Sequence, residues 1–508
     1  MSSKNKRIVV LGGGTAGWVS AAVFSKDLKH SDYNVTIVES SDILPVGVGE
    51  ASIPPIYSLI EYLGLNDSDL ITKVDGSLKY GIHFENWSKL GDHYMHAFGE
   101  LGTPFKDVSF LDFWMAAGES TGVHGITPFF PTAIAAYNNK FAPPAPRPKN
   151  TPESAFYPLC NLSYALHFDA KLMANYLKDY SLANGVKHIS ATVQKVELTS
   201  TGEIKSLHLE SGQSVEGDLF IDCSGASGRL IQQELKREIE DWSSYLPCDR
   251  AIAVQTKNSE TELPSYTKAI AMKAGWRWQI PLQSRTGNGY VYCSKYISDD
   301  AARAELLNTL PDELLTEPRI IPFKTGCLKE PWYKNCVAIG LSSGFMEPME
   351  STSIHLIYYY AMYLRETIEK GKWNDQALFN NTFSFQTERI RDFLIMHYYI
   401  NQRNDEPFWL DCQNMAIPNS LEKKLDEFKK TGKIKVHSSE LFSFESWVQV
   451  LIGQNYLENY DQFYNVNIPC DAAKQFFQNV YIAIQNEVDK LPSHRKFLSD
   501  LANKQTLE

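Results

Sequence analysis

The feature that most constrains this chain lies within its first twenty residues. Ile8-Val9-Val10-Leu11 is an unbroken apolar run, and Gly12, Gly14 and Gly17 follow it directly, ahead of the helix-compatible stretch Trp18 to Phe24. Such a run suits a parallel strand buried on both faces. Gly12 permits a tight strand-to-helix turn, Gly14 lets a pyrophosphate approach the backbone, and Gly17 allows helix and strand to pack closely. Between them Thr15 and Ala16 open the helix, whose first N–H groups face a phosphate. A second strand is expected over 34–38, ending in Glu39. An acidic residue about 20 positions past the glycines can bind an adenosine ribose hydroxyl. A solvated charge at a strand end is the plainer alternative. The chain thus begins with a dinucleotide site.

Further along, Pro45 to Pro55 carries Gly47 and Gly49 among its prolines and reads as a loop of imposed geometry, able either to lie along a cofactor through Gly49, Glu50 and Ala51 or to serve as an ordinary connector. A helix is expected over 56–63 and a strand over 80–87. Residues 94–135 are rich in Phe, Trp, His and Pro without clear period, and 142–148 is a proline-rich excursion. After a helix over 173–182, a β-rich section runs from Val186 to Leu209. The apolar strand 219–221 then ends in Asp222 and Gly225, another place where backbone can meet a ligand. Strands dominate again from Ala251 to Tyr296. A buried strand over 335–339 enters a Gly/Ser loop at Gly340 and Leu341, and helical patterning follows from about Ile354, interrupted near 404–419 and 430–445. Cofactor-facing elements spread from residue 8 to residue 350 imply one interleaved α/β fold with a helical C-terminal layer. The expected division is 1–395 as a dinucleotide-binding α/β module with a substrate-facing insert near 94–160, and 396–508 as a helical, substrate-binding region packed on it and not an independent domain.

Composition narrows the class. At 508 residues with 43% apolar content the chain can bury a large core, and its formal charge of −11 gives no electrostatic reason for a nucleic-acid or anionic-membrane partner. The eight cysteines form no C-x-x-C pair, so neither a zinc site nor a redox dithiol is expected, and no metal is assigned. No signal peptide or membrane-length apolar stretch is visible, which makes a soluble cytoplasmic protein the expectation.

Several motifs together resemble the flavin-dependent halogenases of the tryptophan halogenase type. They are Gly12-Gly13-Gly14-Thr15-Ala16-Gly17-Trp18, Gly47-Val48-Gly49-Glu50-Ala51, Lys79 in Ser77-Leu78-Lys79-Tyr80-Gly81, Trp276-Arg277-Trp278-Gln279-Ile280-Pro281, and Gly344 through Thr352. The W-x-W-x-I-P element is the most specific. Read by itself it is a packed aromatic pair on one face of a strand, since residues i and i+2 point the same way. The resemblance implies a fold with an FAD-binding Rossmann-like core of the glutathione-reductase or aromatic-hydroxylase type. It also places Trp276, Trp278 and Pro281 beside the isoalloxazine, where they discourage ordinary monooxygenation, and counts Val193 among the cofactor-binding positions.

In that family reduced FAD and O2 oxidise chloride or bromide to hypohalous acid, which travels to a lysine. The resemblance puts Lys79 in this role, as an ammonium hydrogen-bond donor or a haloamine. Glu350 matches the family's glutamate, which stabilises the cationic arene intermediate and accepts its proton; Glu347 is the nearby competitor. Backbone N–H groups at Thr352 and Ser353 would hold the halide. Family members often carry Gly where Ser353 stands, so here a side chain is added beside that place. His96-Ala97-Phe98 resembles the family's His-x-Phe, whose rings sandwich an indole, although a core His and Phe fit nearly as well. Trp447, in Phe442 to Trp447, parallels a segment that closes over the substrate. The paired tyrosines expected to grasp a free amino-acid carboxylate are missing, so indole or another electron-rich arene is as much expected as tryptophan.

The rival reading is an FAD-dependent aromatic monooxygenase, a hydroxylase, which shares the N-terminal fold and the region around 217–225. Such enzymes typically carry Gly-Asp where this chain has Gly340-Leu341, and they lack W-x-W-x-I-P. A non-catalytic flavoprotein scaffold is a second alternative. One dinucleotide fingerprint is in view, so nothing in the chain clearly offers a separate nicotinamide site, although some hydroxylases also manage with one. The resemblance implies that FADH2 arrives by diffusion from a separate NADH-dependent flavin reductase. A homodimer is the family expectation.

Overall fold

The computed structural model describes residues 6–40, 49–149, 155–258, 261–310, 313–457, 460 and 469–505. The expected cofactor loop therefore enters view only at Gly49; Gly47 and Val48 lie outside the described residues. Two compact units form, each from three separate segments: Met1–Gly76, Phe168–Ser243 and Phe323–Glu388 in the first, Ser77–His167, Ser244–Pro322 and Arg389–Glu508 in the second.

The first unit is built on a six-stranded sheet, ordered Trp332–Tyr333, Cys336–Ala338, Leu219–Asp222, Lys6–Leu11, Tyr33–Glu39, Lys187–Ser190. All neighbours run parallel except the short terminal hairpin. Val9 sits opposite Phe220 on one side and Thr36 on the other. A parallel sheet needs cover on both faces, which explains the unbroken apolar run. On one face lies the helix Thr15–Ser25, buried from Gly17 onward and packed against the helices Ala170–Ala183 and Thr352–Glu369. On the other face Val9, Leu11, Val38 and Phe220 join a core with Val196, Leu207 and Leu230. This is the Rossmann-like α/β architecture expected of the core.

The second unit carries a seven-stranded sheet, ordered Arg319–Pro322, Arg250–Lys257, Arg285–Tyr292, Gly275–Pro281, Thr267–Met272, Gly81–Glu85, His93–Ala97. Every pair is antiparallel except Thr267–Met272 with Gly81–Glu85. The short strand Ser77–Lys79 pairs antiparallel with residues 165–167. Helices complete the unit. Phe444–Gly453 packs on strand His93–Ala97, where the Gln449 side chain accepts from the Ala97 N–H (2.8 Å) and donates to its carbonyl (3.3 Å).

One expectation needs correcting. The interruption read near 404–419 contains a helix, Pro407–Gln413. Proline stands at its first position, where the missing N–H leaves no hydrogen bond unmade, and Phe408, Trp409 and Cys412 are buried beneath it. The second interruption is real: helix Asn419–Thr431 stops at Gly432 in the left-handed region (φ 67°), and the next begins at Phe444.

Candidate active site

In the first unit the C-terminal ends of four parallel strands bring together elements far apart in sequence. The strands Tyr33–Glu39, Lys6–Leu11, Leu219–Asp222 and Cys336–Ala338 end at Glu39, the Gly12–Gly17 turn, Asp222 to Gly225, and Gly340-Leu341. Chain order reverses between the second and third of these, the place where open α/β sheets form a ligand crevice. The three glycines separate by role. A Cβ on Gly12 (φ +118°) would lie 2.2 Å from the Cys223 carbonyl oxygen, and one on Gly17 would lie 1.8 Å from the Gly12 oxygen. Both are held by packing. A Cβ on Gly14 would meet nothing within 4 Å, nor would one on Gly225. Open space at Gly14, at the start of an eleven-residue helix, fits a bound pyrophosphate. A Cβ on Gly340 (φ +80°) would lie 2.8 Å from the Ala16 Cβ at the start of the first helix, while Leu341 is exposed. Val193 is half-buried against the core beneath.

Glu39 is held by its own chain. One carboxylate oxygen accepts from Lys178 Nζ (2.8 Å) and His188 Nε2 (3.0 Å), and the other from the Trp18 indole N–H (3.1 Å). Burial would raise this carboxyl, but Lys178, helped by His188 and Trp18, brings it below the usual carboxylate range. Lys178 and His188 carried no signal in the sequence, because 139 and 149 residues separate them from Glu39. Asp222 is also committed internally. It accepts from Ser224 N–H (3.0 Å), Leu230 N–H (2.9 Å) and Ile231 N–H (2.8 Å), which shapes the loop carrying Gly225. Glu50 follows the buried Gly49, with Ala51 buried beyond it; burial pushes its carboxyl up to about 7.

Glu347 and Glu350 are both buried at the start of the 18-residue helix Thr352–Glu369. Pro348–Glu350 forms a tight helical turn and Ser351 adopts the left-handed conformation (φ 58°). A non-glycine residue there is held by its surroundings, a feature that concentrates at functional sites. Thr352 and Ser353 supply the first N–H groups of the helix, which lack intrahelical acceptors.

The second unit gathers Lys79, His96, Phe98, Trp276, Trp278, Pro281 and Trp447. Lys79 is completely buried, its ammonium 5.3 Å from the Phe98 ring centre. Two buried histidines that sequence reading missed flank its strand. His167 Nδ1 meets Ser77 Oγ at 3.0 Å, Ser77 donates to the Pro281 carbonyl (2.5 Å), and His167 Nε2 meets Thr267 Oγ1 at 2.8 Å. His494 Nε2 accepts from the Leu78 N–H at 3.0 Å. Burial, then the charge of Lys79, holds His167 well below the ordinary histidine value; burial pushes His494 down to about 4.

Trp276 and Trp278 are buried on one face of strand Gly275–Pro281, ring centres 6.3 Å apart, and Trp276 also meets Trp87 at 6.4 Å. His96 lies 5.7 Å from Phe393 and 6.1 Å from Phe442, and those two phenylalanines stack at 3.8 Å. Trp447 is fully buried against Phe393 and beneath Lys424 (4.8 Å). The eight cysteines are free thiols. Among the described residues no cluster of three metal-ligating side chains exists, and no helix is long and apolar enough to cross a membrane.

Comparison with known proteins places this geometry. The family model for tryptophan halogenase matches residues 7–467. The chain is 33% identical over 447 residues to the tryptophan 6-halogenase SttH of Streptomyces toxytricini, covering 84% of this chain and 85% of that protein. It is 32% identical over 461 residues to the tryptophan 7-halogenase RebH of Lentzea aerocolonigenes, covering 87% and 85%. Among solved structures, BrvH, a flavin-dependent halogenase from Brevundimonas sp. BAL3, superposes with a TM-score of 0.90 at 36% identity, over 98% of this chain and 100% of that one. A family match over most of the chain, on a fold with a dinucleotide crevice, has one meaning: this chain is an enzyme of the tryptophan halogenase family, a flavin-dependent halogenase.

Proposed function

We propose that the chain uses FADH2, O2 and chloride or bromide to halogenate an electron-rich arene such as indole, an indole derivative or tryptophan, with Lys79 and Glu350 as its catalytic residues. The observation that carries this reading is the complete burial of Lys79 beside Phe98 and the low-pKa His167. A lysine without access to water does not serve solubility, and the surroundings of a buried ammonium must offset the cost of taking its charge out of water.

Gly14, Thr15, Ala16 and Gly225 would hold the pyrophosphate of FAD, and Glu39, oriented by Lys178 and His188, its ribose. The bound flavin, once reduced, supplies electrons to O2 and thereby the oxidising power to convert halide into hypohalous acid. Backbone N–H groups of Thr352 and Ser353 hold the halide. The Lys79 ammonium donates a hydrogen bond to the hypohalous oxygen, draws electron density from it and leaves the halogen electrophilic. Attack by the arene on the halogen breaks the oxygen–halogen bond and releases hydroxide, which the Lys79 ammonium stabilises, and the resulting ring cation gives its proton to the Glu350 carboxylate. His96 and Phe98 present aromatic faces to the arene, and Trp447 backs the pocket through Phe393. FADH2 from a separate NADH-dependent reductase, a cytoplasmic location and a homodimer complete the reading.

Halide dependence tests it. With a flavin reductase, NADH, FAD and indole, product must require bromide or chloride. An oxygenated product formed equally well without halide would overturn it in favour of the hydroxylase.

A further inference from the structure

We propose that His494 and His167 are positioning residues for Lys79: as neutral imidazoles they clamp strand Ser77–Lys79 from both edges and fix where the lysine's stem begins. The proposal rests on the reading of Lys79 as the group that receives the oxidant.

In an antiparallel ladder, alternate residues offer their main-chain groups to opposite edges. The strand of Lys79 is only three residues long and pairs with residues 165–167 on one edge. On its other edge, where no strand pairs with it among the described residues, the Leu78 N–H donates to His494 Nε2 at 3.0 Å. Two residues on, the Tyr80 N–H donates to the Ser265 carbonyl at 2.7 Å. His494 Nδ1 reaches the Leu263 carbonyl at 3.1 Å, so one imidazole ties Leu78 to the same segment that holds Tyr80. The ring is itself fixed, 5.5 Å from Phe141, with its backbone N–H donating to the Asn139 carbonyl. To accept from Leu78 and donate to Leu263, His494 must be neutral with its proton on Nδ1.

The paired edge has the matching device. Ser77 donates to the Pro281 carbonyl, so its oxygen accepts from His167 Nδ1–H, which leaves His167 Nε2 to accept from Thr267. This chain joins the strand of Lys79 to the end of the W-x-W-x-I-P strand. His167 is neutral too. Lys79 carries its ammonium at the end of a four-carbon stem, so a small rotation of the strand at its Cα becomes a larger displacement at Nζ. A misplacement of about 1 Å can cost about 100-fold in rate.

The test compares His494→Phe, which keeps a ring and loses the acceptor, with His494→Gln, which keeps an acceptor. Halogenated indole and hypohalous acid escaping to a scavenger such as monochlorodimedone are measured in one reaction. FAD affinity, the KM for indole and the unfolding midpoint are measured alongside. For His494→Phe we expect kcat for product to fall at least about tenfold, with scavenged oxidant undiminished, KM and FAD affinity unchanged, and product restored in His494→Gln. Product and scavenged oxidant falling together, or both staying at wild-type levels, would overturn the proposal. Should His494→Phe not fold, Thr267→Val removes the donor to His167 at constant size and must shift the same ratio; a proportional loss of both would again overturn it. Lys79→Ala, run in parallel, separates the two ideas. If it still makes product, the reading of Lys79 fails; if it makes none while His494→Phe behaves as wild type, only the clamp fails.

Discussion

Trp278 lies directly across Gly289 on the neighbouring strand. The two residues are paired in register, and a Cβ on Gly289 would fall 2.0 Å from the indole carbons. The second tryptophan of W-x-W-x-I-P can therefore be buried only because its cross-strand partner has no side chain. Gly289→Ala should lower the unfolding free energy by about 1–3 kcal/mol, the usual cost of overpacking. Chemical denaturation checks this. Combined with Trp278→Ala, the cost should be less than additive, because the clash is shared.

Gly14 and Gly17 differ by three positions and should fail in opposite ways. Gly14 has φ −77°, which any residue adopts, and open space beyond its Cα. Gly14→Val should fold normally yet lose FAD binding and the thermal stabilisation that FAD confers. Gly17→Ala drives a Cβ onto the Gly12 carbonyl and should destabilise the fold itself. Melting curves with and without FAD separate the two.

Glu350→Gln should lower halogenation turnover by about two to four orders of magnitude, the range for a positioned acid–base group, with FAD affinity retained. Steady-state kinetics decide it. A loss below about tenfold would move the role to Glu347, which is equally buried.

Glu50 gives the FAD-free protein a pH dependence with a definite sign. Its carboxyl is pushed up to about 7 by burial, so the fold prefers the neutral form. That stability is complete below the unfolded value of 4.5 and is lost as pH rises through about 7. Glu50→Gln should flatten the decline in unfolding midpoint between about pH 5 and 8. An unchanged slope would place the titration elsewhere.

What could be read in the sequence was local. Ile8 to Gly17 announces strand, turn and helix within ten residues, and each glycine's geometric demand is of short range. The tryptophan pair of W-x-W-x-I-P is legible for the same reason, since alternation along one strand puts both rings on one face. The helix Pro407–Gln413 escaped because two turns ended by a non-repeating pattern look like a break. His494 could not be found at all: it touches Leu78 across 416 residues, and a single acceptor nitrogen leaves no periodic trace. Lys178 and His188 around Glu39 were hidden in the same way. Sequence names the residues that react more readily than those that hold them.

The most direct test of the central claim is mass spectrometry of one reaction with Lys79 present and replaced. It contains the protein, FAD, a flavin reductase with NADH, oxygen, bromide, and indole or tryptophan. The account predicts a bromine isotope doublet on the arene with the wild-type chain, and none with a Lys79→Ala variant that still binds FAD. A doublet of wild-type intensity from that variant would contradict it.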